Sequence, residues 1–286
     1  MRVVSLVPSG TLLLRALGLE PVGVSHSCPN PQGVPVVTEG LIPKGLPQEE
    51  IDRRVREAHG RGEPLYKIRG EVLAVLEADL LVSQGVCQVC AVTPQQAALA
   101  TAFFPRPPRV LELRGTQLEG LFLDIRALAQ ALDVEERGRH LAQEIREGLS
   151  RLPPPPPRRP SVAFLEWLDP PYLGGHWVPE LVALAGGRYL GPEPGTPSLR
   201  VDPMDLPEAE VVFMAFCGYS LEEALAAVAD HRARGGYLDR YLRGRQAYLV
   251  DAGPFQALTH RVAEGVWTLA HLLRGKGVSP HLARPL

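Results

Sequence analysis

Short apolar runs alternate with stretches of helical periodicity along most of the chain. "RVVSLV" at residues 2–7 reads as a buried strand, and "SGTLLLRALG" reads as a helix with Ser9 or Thr11 near its cap and Gly18 at its end. "PVGVSH" predicts a second strand, and "PVV" a short third one. "PQEEIDRRVREAHGRG" places charges at helical spacing, and "GEVLAVLEA" is a helix leading into the strand "DLLVSQ". "TPQQAALATAFF" sets a Thr before a Pro, a capping residue followed by one suited to the first helical turn, and "RVLEL" is the next strand. Strands alternating with helices predict a mostly parallel sheet covered on both faces.

The alternation stops at Thr116. From there to Leu152 the periodicity is that of one long helical segment, with a break near Leu132 and Asp133. "PPPPPRRP" follows, a stiff extended stretch that reads as a domain boundary. The alternation then resumes with the strands "SVAFLEW", "EVVFMAF" and "QAYLVD" and the helices "VPELVALAG", "SLEEALAAVADHRA" and "VAEGVWTLAHLL". The expected architecture is α/β, with two Rossmann-like lobes of mostly parallel sheet joined by a long backbone helix. The boundaries fall at 1–115, 116–152 and 153–286.

A chain of 286 residues, 45% hydrophobic and 22% charged, can bury two cores without disulfides. A net charge of −2 supplies no field for attracting nucleic acid or an anionic membrane surface. No stretch approaches the roughly 20 apolar residues of a membrane span. The first residues are broken by Pro8, Ser9, Gly10 and Arg15 and do not read as a signal peptide. The expected location is therefore the cytoplasm for a full-length chain, or the periplasm if a signal peptide has been removed. Lysine occurs only at 44, 67 and 276, while arginine and proline abound, a bias of GC-rich and heat-adapted sources.

Candidate chemistry collects where the predicted strands end, the position at which open parallel sheets place ligands. Cys28 follows "PVGVSH", Cys87 and Cys90 follow "DLLVSQ", and Cys217 follows "EVVFMAF". Three readings of the four cysteines stand side by side: small buried residues, a redox pair at Cys87 and Cys90, or thiolate ligands of Zn²⁺ or an iron–sulfur cluster. His26 and His176 occupy the same loops and suit a metal or an anionic group. Glu166 and Asp169 are a candidate acid/base pair with no nucleophile or cofactor motif beside them. Trp167, Tyr172 and Trp177, joined by Phe216 and Tyr219, offer the aromatic surface that a large flat ligand needs. G-x-S-x-G, Walker and G-x-G-x-x-G motifs are absent from the sequence.

"RVVSLVPSGTLLLRALGLEPVGVSHSCPNP", the strand "AYLVD" before a long helix, and the long helical segment between two α/β halves resemble the class III substrate-binding proteins of ABC importers for cobalamin, siderophores and haem. "SHSCPNP", "CQVCAVTP", "EWLDPPYLGGHWVPELVALAGG" and "FCGY" are similar to loops of the cobalamin-binding branch. The resemblance implies two rigid lobes with the ligand in a cleft lined by the loops around Pro8, His26 to Cys28, Cys87 to Cys90, Trp167 to Trp177, Cys217 to Tyr219, and Phe255. The expected ligand contacts are thus Pro8, His26, Trp167, Asp169, Tyr172, His176, Trp177, Tyr219 and Phe255, with a corrinoid or related metal chelate bound. Leu12 stands where importer-docking members carry a Glu, so docking on an ABC permease is not expected. The competing reading is a cytoplasmic metalloprotein holding Zn²⁺ or an iron–sulfur cluster on Cys28, Cys87, Cys90 and Cys217, its enzymatic role left open.

Overall fold

The computed structural model describes residues 1–43, 45–86, 92–104 and 106–286. They form two compact units, one of residues 1–46, 53–115 and 119–143 and the other of residues 47–52, 116–118 and 144–286.

In the first unit the strands Gly23–Val24, Val3–Ser5, Leu80–Gln84 and Arg109–Leu113 lie side by side in that order, all parallel. Leu80–Gln84 is buried along its whole length, which is why its sequence reads as a continuous apolar run rather than an alternation. Val4, Leu6, Val37, Leu73, Leu76 and Leu81 form a core with Tyr66 and Phe104. Helix Pro8–Ala16 buries Leu13 and Leu14 and ends at Leu17, with Gly18 following at φ +73°. Its start differs from the expectation. Val7 is the capping position and no side chain caps it; Thr11 instead donates to Ser5 Oγ at 2.9 Å. Pro8, at the first helical position, has no N–H to satisfy, so the missing side-chain cap leaves one orphan fewer. "PVV" contributes a single bridge, Val36 with Val24, rather than a strand. At Thr93 the expected cap is present, in a reciprocal box with Gln96.

The long helical segment is two helices, Leu118–Ala131 and Glu135–Ser150. Asp133 breaks it at φ +57°, a left-handed conformation that Asp tolerates better than most residues.

The second unit has a larger mixed sheet. Its strands run in the order Leu199–Arg200, Tyr172–Leu173, Ser161–Trp167, Val211–Met214, Gln246–Val250, Ala283–Pro285, and Arg188–Tyr189 pairs with the start of Ser161–Trp167. The three central strands are parallel, and antiparallel strands lie to either side of them. Where the central strands begin, Ser161 and Glu210 hold each other: Ser161 N donates to the Glu210 carboxylate at 2.9 Å and Glu210 N donates to Ser161 Oγ at 3.0 Å. The Ser161 amide and the Arg158 guanidinium together hold the Glu210 carboxyl down to about 2. Helix Leu221–Ala233 opens on a capping box of Ser220 with Glu223, and helix Val178–Ala185 closes on Gly186 at φ +96°. Among the described residues, no helix is long and apolar enough to cross a membrane.

Candidate functional site

Within each unit the predicted site residues do gather beyond the carboxyl ends of the parallel strands. In the first unit, Pro8 follows Val3–Ser5, and His26 and Cys28 follow Gly23–Val24. His26 is exposed, and both its amide and its Nδ1 lie within 2.9 Å of Thr38 Oγ1. Cys28 is buried. Its Sγ is 3.1 Å from Ser25 Oγ, and burial pushes the thiol up from its ordinary value. Cys87 and Cys90 lie outside the described residues. Among those described, no three His, Cys, Asp or Glu side chains gather into a group able to hold a metal ion.

The second unit carries the denser cluster. Trp167 ends the strand Ser161–Trp167, and Tyr219 follows the neighbouring strand Val211–Met214, so their rings meet at 5.7 Å, nearly perpendicular at 84°. Phe216 supports Tyr219 from behind in a second perpendicular contact at 6.2 Å. Cys217, partly exposed, donates its amide to Glu166 O at 3.1 Å, and Gly218 N donates to Gln256 Oε1 at 2.7 Å. The loop after Val211–Met214 is thereby tied to the end of the strand Ser161–Trp167 on one side and to the segment after Gln246–Val250 on the other. Gly218 adopts φ +80°, a conformation open to a residue without Cβ, and this turn carries Tyr219 back toward Trp167.

Asp169 precedes a cis proline, and its carboxylate lies 3.6 Å from His231 Nδ1 and 3.8 Å from Arg234. It is engaged with two basic groups, which does not suit it to the role of a general base beside Glu166. Tyr172 donates its hydroxyl to Asp52 at 2.7 Å.

Trp177 and Phe255 are expected as ligand contacts but sit in the core of the unit. Trp177 is 6% exposed and donates its indole N–H to Phe255 O at 2.7 Å, while the Phe255 ring packs on Phe164 at 5.0 Å. Their place in the sequence, among turn residues, hides this, because the contact that buries them joins positions 78 residues apart.

His176 bends the loop at φ +53°, and its Nδ1 is buried without a hydrogen-bond partner. Burial lowers its proton affinity, and His260, half-buried in the same unit, shifts the same way. Both therefore hold a proton less readily folded than unfolded. Below about pH 6.5, the unperturbed value, the unfolded chain takes up protons that these two sites resist, so stability falls with acid until the depressed folded values are passed. The urea midpoint is expected to drop between pH 7.5 and 5.5, and His176→Asn with His260→Gln to flatten that slope; Asn accepts the positive φ at 176. An unchanged slope in the double variant would assign the effect elsewhere.

Several of these residues have no signal in the sequence. Gln48, Asp52, Arg200 and Tyr237 all touch the 167–172 turn or its partners, from places 28 to 120 residues away in the chain. A pocket of about 830 Å³ lies where the central strands begin, at the opposite end from these loops. Two of its cations are engaged: Arg158 binds Glu210, and Arg245 binds Glu208 and the carbonyl of Ala209.

No family model and no curated relative matches the chain. Solved structures do match over nearly its whole length. The periplasmic heme-binding protein RhuT from Roseiflexus sp. RS-1 superposes with a TM-score of 0.67 at 20% identity, covering 96% of this chain and 98% of its own. The chain has the fold of the class III binding proteins. The periplasmic vitamin B12-binding protein BtuF of Vibrio cholerae matches at a TM-score of 0.60 and 17% identity, over 96% of this chain and 98% of BtuF. The heme-complexed IsdE of S. aureus matches at 0.63 and 14%, over 95% and 98%. At these identities the likeness is one of fold, and the class III fold expected from "RVVSLVPSG" and the paired α/β halves is the one observed.

Proposed function

We propose that this chain is a solute-binding protein for a flat metal chelate, with a corrinoid of the cobalamin type as the leading ligand. The observation that carries the reading is the perpendicular pair of Trp167 and Tyr219, held at the ends of adjacent parallel strands, with the loop that carries Tyr219 hydrogen-bonded to the segments on either side. Such a pair offers a ligand ring both a face and an edge, and the support of Phe216 keeps it preorganised. RhuT and IsdE are described as heme-binding and BtuF as vitamin B12-binding, which favours a chelate among the ligands this fold serves. Asp169, Tyr172 and His176, on the same unit as the pair, supply polar contacts around it. Trp177 and Phe255 are left out because they are buried in the core. With Leu12 in the first helix, docking on an ABC permease is not part of the reading.

Titration with cyanocobalamin and, separately, with haemin tests it. Saturable binding with quenching of tryptophan fluorescence is expected, and Trp167→Ala or Tyr219→Ala should weaken it about tenfold, near 1.4 kcal/mol. Absence of any spectral shift or heat with either compound at roughly tens of micromolar protein would overturn the reading.

A further inference from the structure

We propose that Gln48 is a positioning residue that sets the geometry of the binding turn at 167–172. The proposal rests on the chelate-binding reading for its functional consequence and on geometry for its structural one. Gln48 belongs, with residues 47–52, to the second unit, although 120 residues of chain separate it from Leu168. Its Oε1 accepts from two consecutive backbone amides, Leu168 N at 2.7 Å and Asp169 N at 3.1 Å. Two successive N–H groups aimed at one point make a small concavity that calls for an acceptor, and a carboxamide oxygen with two lone pairs fills it. Gln48 is 5% exposed and Leu168 1% exposed, so water is a poor substitute.

The rest of the turn is anchored around the same point. One helical turn on from Gln48, Asp52 accepts the Tyr172 hydroxyl at 2.7 Å, with Arg200 3.9 Å from its carboxylate. Tyr237 donates to Leu168 O at 2.8 Å, so both the amide and the carbonyl of Leu168 are held by side chains. Tyr219, whose phenol burial pushes up, has the Gln48 carboxamide acting in the opposite direction on it. One side chain therefore holds the two amides that directly follow Trp167, a member of the aromatic pair. A purely structural residue would lower stability throughout the unit. A positioning residue moves this turn first.

The variants are Gln48→Met, which keeps the volume and removes the acceptor, and Gln48→Glu, which keeps an acceptor for both amides. Amide hydrogen exchange of the full chain is read at Leu168 and Asp169, with the strands Val211–Met214 and Gln246–Val250 as internal controls. Gln48→Met should exchange about tenfold faster at the two amides with the control strands unchanged, and Gln48→Glu should stay near the parent. The same proteins are titrated with cyanocobalamin and haemin, where Gln48→Met should bind about tenfold more weakly and Gln48→Glu should recover most of the loss. Parental exchange at Leu168 and Asp169 in Gln48→Met overturns the proposal, as does exchange that rises equally in the control strands. Faster exchange at the two amides with unchanged affinity overturns the link to binding. Should the parent bind neither compound, the chelate reading fails by itself, and the exchange result still decides whether Gln48 holds the turn.

Discussion

Phe164→Ala is expected to lower the unfolding free energy by about 3–5 kcal/mol, the largest loss for any single truncation we anticipate in this chain. Phe164 is fully buried in the middle of the strand Ser161–Trp167. Its register partner on the next parallel strand is Phe213, whose own partner is Tyr248 on the third, so three rings line up across the centre of the sheet. Phe164 meets Phe213 at 6.5 Å and Phe255 at 5.0 Å, and Phe213 stacks on Tyr248 at 5.8 Å. Removing the ring leaves a void that its two aromatic neighbours, Phe213 fixed in a strand and Phe255 in the segment after Gln246–Val250, are poorly placed to fill. The loss should also reach the loops, because Phe255 O holds the Trp177 indole. Urea denaturation followed by far-ultraviolet circular dichroism measures the change. Phe164→Leu, which keeps most of the volume, should cost under about 1.5 kcal/mol. A loss below about 1 kcal/mol for the Ala variant would mean that the sheet centre collapses around the cavity and that the ring ladder is not its support.

That ladder was only half legible in the sequence. "SVAFLEW", "EVVFMAF" and "QAYLVD" read as strands because buried parallel strands are apolar on both faces, and the structure contains all three. The pairing of Phe164 with Phe213 and Tyr248 depends on register across 35 to 84 residues, which no local pattern encodes. The short antiparallel strands Tyr172–Leu173, Leu199–Arg200 and Ala283–Pro285 were missed for a related reason. Two or three residues carry no periodicity, and only pairing with a neighbour makes them strands. Local signals did better at punctuation: Gly18, Thr93 with Gln96, Ser220 with Glu223, and Asp133 each mark a helix boundary through a conformation or a hydrogen bond made within a few residues.

The candidate site shows the same division. Topology alone placed Trp167, Tyr219 and Cys217 together, since all three lie at or just beyond the ends of strands that a parallel sheet sets side by side. Composition could not separate Trp167 from Trp177, one in an aromatic pair at the strand ends and the other in the core. Nor could it find Gln48, a polar residue in a charged helix whose partners are backbone amides rather than a motif.

Arg274→Met is expected to cost about 2–3 kcal/mol and to loosen the proline run, a result that separates a stiff linker from a structural strap. The run "PPPPP" at 153–157 reads as a boundary because proline donates no hydrogen bond and stiffens the chain. Its carbonyls still accept, and Arg274 uses them. The guanidinium donates to Pro153 O at 3.2 Å, to Pro154 O at 2.5 Å and to Ala185 O at 3.2 Å, and also to Ala270 O. Two of these acceptors end or nearly end helices, where carbonyls lack intrahelical partners and a cation is favoured. Next to them, a Cβ at Gly186 would overlap Pro156 Cδ, and the φ of +96° there already excludes most side chains, so the run and the end of helix Val178–Ala185 fit without slack. A lysine at 274 should not rescue the loss, because one ammonium on a flexible stem cannot reach both the strap and the helix end as a planar fork does. Limited trypsinolysis reports on the basic end of the run: cleavage after Arg158 should rise in Arg274→Met and Arg274→Lys alike, Pro160 blocking the bond after Arg159, while sites in the first unit keep their parental rates. Parental cleavage in both variants would return the proline run to the role of a passive connector and leave Gly186 as the sole reason for its close approach.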